Sequence, residues 1–175
     1  NLVEAATYLD ALTADELTPE IRAAVIASRN RVKEYTDRGE RWLLEAPDDG
    51  ETEGELVVPR AQLEILWYLV GRLAYIDGDL DAAIVEWSDA HSRWIDYIDL
   101  LWPLATAHAG RAGLESTPGD LRDADRVLAV DYLEAWVEWL RQSNEVVPWD
   151  RIRSEPAFKS IADTDGFRRL TRGRP

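Results

Sequence analysis

The sequence predicts an all-α fold built from antiparallel helical hairpins. The first observation is a pair of stripes of small and aromatic residues. Trp67, Gly71 and Ala74 stand at i, i+4 and i+7, and Ala83, Trp87 and Ala90 repeat that spacing after the tight turn Asp77-Gly78-Asp79. Small residues let two helix backbones approach closely, and the Trp rings fill the space above and below them. The second is helical periodicity along most of the chain, with apolar residues recurring at steps of three and four. The third is punctuation: Pro, Gly and Asp fall where helices start and stop.

The elements follow in order. Leu2, Ala5, Ala6, Leu9 and Leu12 suggest a short first helix. Thr18-Pro19-Glu20 opens a long second one: Thr caps, Pro suits the first turn, and Glu favours the positive helix end. Its stripe is Ile21, Val25, Ser28, Val32, Tyr35, Gly39, Trp42 and Ala46. Residues 47–59 are acidic and Gly-bearing and are expected to form a mobile loop. Pro59 opens the first hairpin helix, which reaches about Ile76. Asp79 caps the second, whose stripe is expected to continue through Trp87, Ala90, Trp94, Ile98 and Leu101 until Pro103 kinks or ends it. Residues 105–113 then form a last turn or a short separate helix. After the loop 113–119, Thr117 or Asp120 is expected to cap a long helix with the stripe Leu121, Ala124, Leu128, Tyr132, Ala135 and Trp139, ending near Gln142. Two short helical pieces follow Val147-Pro148-Trp149, at 155–161 and 164–170.

Residues 64–97 resemble the tetratricopeptide repeat. That family places an aromatic, a Gly, a Gly-Asp turn and then Ala, aromatic, Ala in a period of about 34 residues. The corresponding residues here are Trp67, Gly71, Gly78-Asp79, Ala83, Trp87 and Ala90. Ala74 stands where the family usually has Tyr, and Ile95 where it usually has Pro. Glu155-Pro156-Ala157-Phe158, Ile161 and Gly166-Phe167-Arg168-Arg169-Leu170 resemble the tail that closes bacterial tetratricopeptide arrays. A stack of hairpins needs such a lid, because its last apolar face has no neighbour. The resemblance implies a tetratricopeptide-like, non-catalytic protein-interaction module, the scaffold or sensor part of a larger protein. In that family the face opposite the small residues lines a groove for a partner peptide or helix. Here that face carries Ile65, Tyr68, Arg72 and Tyr75, and Tyr and Arg are favoured in binding hot spots. The bland reading of the same four is packing on the helix from Pro19 to Ala46.

Composition bounds the function. The chain has 175 residues, 46% of them hydrophobic, enough for a real core in a single domain of 1–175. The missing Met, absent even at position 1, suggests a fragment of a longer protein. A net charge of −14 disfavours nucleic acid and anionic membranes as partners; it reads first as a solubility feature, and alternatively as an acidic surface for a basic partner. Lys33 and Lys159 are the only lysines, which fits either a GC-rich genome or a salt-adapted host. There is no run of about 18 apolar residues and no signal-like start, so a cytoplasmic location is expected.

Chemistry is sparse. Cys is absent, so there are no disulfides or thiolate metal sites. His91 and His108 are the only histidines and read as surface or half-buried. Asp77-Gly-Asp79-Leu-Asp81 has the acidic spacing of a calcium loop, but Ala82 replaces the obligatory Gly and Ser88 the final Glu. Asp79 as a helix cap accounts for it. Carboxylate pairs such as Glu134 with Glu138 and Asp96 with Asp99 suit a solvated face. No catalytic residue, cofactor or metal is therefore expected. The alternative is a small helical enzyme or a ligand- or metal-binding domain using carboxylates.

Overall fold

The computed structural model describes residues 18–20, 23–24, 26–27, 30–31, 33–34, 37, 60–93 and 98–172. The expected helix at Leu2–Leu12, the loop 47–59 and most of the stripe between Ile21 and Ala46 lie outside these residues. The described positions from 19 to 37 are helical and exposed. Pro19 takes the first helical position, and Thr18 Oγ1 donates to Glu20 Oε2 at 2.9 Å. The complete helices are α1 (Arg60–Ile76), α2 (Leu80–Arg93), α3 (Leu101–Ala112), α4 (Gly119–Gln142), α5 (Trp149–Ser154) and α6 (Asp165–Thr171). Among the described residues there are also two 3₁₀ turns, Ile98–Leu100 and Pro156–Ser160. No strand occurs among the described residues. The all-α class with antiparallel helix pairs is as the sequence predicts.

Contacts cluster into two compact units, Asn1–Glu86 and Trp87–Pro175, and the border falls inside α2. In the first unit, α1 folds back into the start of α2 through Asp77-Gly78-Asp79. Gly78 has φ +80°, a left-handed conformation that an L side chain rarely adopts. Its N–H donates to the Tyr75 carbonyl at 3.0 Å, and the Asp79 N–H to the Ala74 carbonyl at 2.9 Å. This paired bonding is the Schellman closure of a helix end. Asp79 then starts α2, its Oδ1 accepting from the Ala82 N–H at 3.0 Å. One dipeptide thus stops one helix and starts the next, and the Asp cluster serves the turn. Lys33 Nζ reaches Glu86 Oε1 at 2.6 Å, tying the N-terminal helical positions to α2.

In the second unit, α3 is buried along nearly its whole length by α4 on one side and the 156–160 turn on another. Pro103 neither kinks nor ends a helix running on from α2. It sits in the first turn of α3, where its missing N–H leaves nothing unsatisfied. Of the two readings for 105–113, the separate helix holds: it starts earlier, at Leu101, and is the central helix of this unit. Neither Thr117 nor Asp120 caps α4: Pro118 holds that position without a side-chain bond. The Thr117 hydroxyl instead donates to the Arg111 carbonyl at 2.6 Å. Arg122 reaches back from α4 to the carbonyls of Leu114, Glu115 and Thr117, closing the loop between the helices.

The expected stripe of α4 is corrected by one helical position. Leu121 and Leu128 are 38% and 39% exposed, and Ala124 and Ala135 are exposed as well. The buried row is Asp125, Ala129, Leu133, Val137 and Leu140. The row begins with a charged residue, and apolar periodicity cannot assign such a row to the core. The C-terminal pieces at 155–161 and 164–170 form nearly as expected. Glu155 and Thr164 cap them by accepting from the N–H groups of Ala157 and Phe167. Phe158, Ile161, Phe167 and Leu170 are buried with Ala105, Ala109, Val130 and Leu133. The short helix α5 was not foreseen; it buries Ile152 and places Arg151 over the Trp102 ring at 4.3 Å.

Candidate functional site

On α1, period and burial agree. Trp67, Gly71 and Ala74 are buried, as are Ala83, Trp87 and Ala90 on α2. Tyr68, Arg72 and Tyr75 occupy the other face and are half-buried. The Arg72 guanidinium lies 5.6 Å from the centre of the Tyr75 ring, within reach of a cation–π attraction. Ile65 falls one turn before Tyr68 on α1, and its side chain lies outside the described set.

The densest polar chemistry lies elsewhere, between α3 and α4. His108 and Arg111 are three residues apart on α3 and so project from one face. Both meet Asp125, which is fully buried. Asp125 Oδ1 accepts from His108 Nδ1 at 2.7 Å and from Arg111 Nη2 at 2.7 Å, while Oδ2 accepts from Arg111 Nε at 2.8 Å. The guanidinium grips the carboxylate as a fork, the strongest geometry for such a pair. The expectation of a surface or half-buried histidine is corrected for His108, which is 4% exposed. For His91, half-buried, it holds.

Charge accounting assigns the protonation states. Burial raises the Asp125 carboxyl, but the bonds from Arg111 and His108 and their charges together outweigh it, leaving the group below its ordinary value. For His108 burial dominates, and the charge of Arg111 adds to it. Together they outweigh the pull of Asp125, so its pKa is lowered. Neutral His108 beside Arg111⁺ and Asp125⁻ leaves the cluster without net charge. Its Nδ1 carries the proton, because a carboxylate only accepts. Tyr132 covers the imidazole, stacked at 5.7 Å and 16°, and the His91 ring touches Tyr132 edge-on at 5.8 Å. Burial lowers His91 and raises Tyr132. A His–Asp pair of this kind orients an imidazole for proton transfer when a substrate can reach the ring. Here aromatic packing covers it, and the arrangement joins two helices.

A groove of about 560 Å³ runs along α4 and α6, lined by Asp131, Glu134, Ala135, Glu138, Arg141, Arg169 and Leu170. Arg141 lies 3.7 Å from Glu138 Oε2, and Gln142 donates to Glu138 Oε1 at 3.1 Å. Glu134 and Glu138 thus share this lining as a carboxylate pair. Among the described residues no group of three or more His, Asp or Glu gathers as a metal site would. None of their helices is long and apolar enough to cross a membrane.

Sequence reasoning missed Asp125 and Arg111. A signal was present: Asp125 stands in register with Ala129, Leu133 and Val137 at steps of four. A carboxylate in such a row needs a buried cation or donors, and α3 supplies them. No protein-family model matches the chain, and comparisons with curated proteins and with solved structures give no match.

Proposed function

We propose that this chain is a non-catalytic protein-interaction module of tetratricopeptide-like type, the scaffold or sensor part of a larger protein. Its partner is a peptide or helix lying across Ile65, Tyr68, Arg72 and Tyr75 of α1. The observation that carries the reading is the division of α1 into two faces. Trp67, Gly71 and Ala74 are buried, while Tyr68, Arg72 and Tyr75 keep part of their surface in solvent. Two phenol rings and a guanidinium at i, i+4 and i+7 offer broad contact area and directed donors. Arg72 favours an acidic or polar group on the partner. The burial of His108 and Asp125 supports a non-catalytic role, because the best acid–base pair of the second unit is covered.

The test is selection of binders from a random peptide library, followed by affinity measurement on two proteins. Replacing Tyr68 and Arg72 together by Ala is expected to weaken the selected peptides by about tenfold or more, as for truncated hot-spot residues. The circular-dichroism spectrum should not change. Undiminished binding by the double variant would remove the α1 face as the site.

A further inference from the structure

The apolar row that the sequence displays on α4 is real, but it faces outward. Leu121, Ala124, Leu128 and Ala135 are exposed, and Val127 beside them is 60% exposed. A helix that already buries Asp125, Ala129, Leu133 and Val137 therefore carries a second apolar strip along its flank. Of the large hydrophobic side chains exposed among the described residues, Leu121, Val127 and Leu128 share this helix. Isolated exposed leucines need no explanation, whereas a row of them at helical spacing marks an interaction surface.

The charges beside the row select the occupant. Asp131, Glu134 and Glu138, at i, i+3 and i+7, follow the strip towards the C-terminal end of α4 and line the groove of about 560 Å³ with Ala135, Leu170 and two arginines, Arg141 and Arg169, so that the carboxylates outnumber the cations. Asp131 and Glu134 make no ion pair among the described residues; Glu138 is shared with Arg141 and Gln142. The cations of the N-terminal half are engaged elsewhere. Arg122 holds the carbonyls of 114, 115 and 117, and Arg126 pairs with Asp163. A second copy of this chain, at −14, would bring like net charge against like.

We propose that the exposed flank of α4 docks an amphipathic helix of another protein, with apolar residues for Leu121 and Leu128 and Lys or Arg for Asp131 and Glu134. This surface is separate from the α1 face and stands without it. Helix-in-groove recognition of this kind reads apolar anchors at i, i+3, i+4 and i+7, and flanking charges set the choice of partner.

The experiment uses the full chain and two labelled synthetic helices of about 18 residues, with Leu at that spacing. One carries Lys along its flanks and the other carries Glu. Fluorescence anisotropy is expected to show the Lys helix bound at least about tenfold more tightly, with affinity falling as salt rises. Leu128→Asp and, separately, Leu121→Asp should each weaken binding by about tenfold or more with unchanged helical content, since both sites are already partly exposed. Glu134→Gln should flatten the salt dependence. The Tyr68/Arg72 double alanine variant should bind the Lys helix as the parent does, which separates this surface from the α1 face. Equal binding of the two helices, no binding at about 1 mM, or indifference to Leu128→Asp would overturn the proposal. So would sedimentation showing a self-associated chain that Leu128→Asp dissociates, which would make the occupant a second copy.

Discussion

At the scale of single residues, Asp125 is the most consequential side chain. It is fully buried and answers two partners from α3. Removing it strands Arg111 and leaves His108 without an acceptor. Breaking a buried charge pair typically costs about 3–5 kcal/mol. Asp125→Ala is expected near the lower end, because the Arg111 side chain keeps 15% of its surface and can turn to water. Urea unfolding of the variant measures this, and a loss below about 1 kcal/mol, the scale of a surface pair, would contradict the buried grip. The same cluster makes stability depend on pH. The folded pKa of His108 is lowered, so the unfolded chain binds its proton more readily. Stability from neutral His108 is complete above the unfolded value of about 6.5 and is lost as pH falls through the folded value. His91, lowered by burial, adds the same sign. Asp125, also lowered, adds a second loss at more acid pH. Chemical unfolding at stepwise pH should show stability declining from about pH 6.5 downward. His108→Gln, which retains a donor for Asp125 and cannot titrate, should reduce that slope. A parent protein equally stable at pH 7 and pH 5 would show the sign to be wrong.

At the scale of elements, close approaches decide the outcome. Gly166 opens α6 against α4: a Cβ there would stand 2.5 Å from Val130 Cγ1. Gly166→Ala must push Val130 or the closing segment aside, and overpacking of this kind costs about 1–3 kcal/mol. Val130→Ala should recover part of that loss, because it vacates the space the new methyl needs. A double-mutant cycle in thermal unfolding checks the pair, and strictly additive effects would disprove the contact. Gly71 on α1 is buried between Trp67 and Ala74 on the same face. Gly71→Leu is expected to destabilise the hairpin by a similar amount, about 1–3 kcal/mol. A variant melting like its parent would refute close packing there.

At the scale of the whole molecule, the charge of −14 sets the behaviour in solution. Like charges on a compact surface repel one another, and salt screens them over about 10 Å at 0.1 M. The exposed pairs Arg93–Asp89 and Arg153–Asp150 contribute little that salt could remove. Added sodium chloride, from about 0.01 to 0.15 M, should therefore raise the melting temperature. Calorimetry across that range checks it, and a falling temperature would mean that attractive pairs outweigh the repulsion.

Features that depend on near neighbours along the chain are legible in the amino-acid order. The turn at Gly78-Asp79, the buried stripes of α1 and α2, and the short helical pieces near 155–161 and 164–170 follow from local backbone preference and short-range hydrogen bonds. Helical period and turn chemistry report these directly. Which of two adjacent rows on α4 turns inward depends instead on packing against other helices. Leu121, Ala124, Leu128 and Ala135 make the more apolar row, yet the row holding Asp125 is buried. Its partners His108 and Arg111 lie 17 and 14 residues away on another helix. A pattern within one helix cannot register donors brought by a second. The fate of Pro103 has the same origin, since the residue permits both a helix end and a helix start. The packing of α3 against α4 and the closing segment selects the start. The partner-binding roles offered for α1 and α4 depend on a surface outside this chain, and neither local pattern nor internal packing encodes that surface.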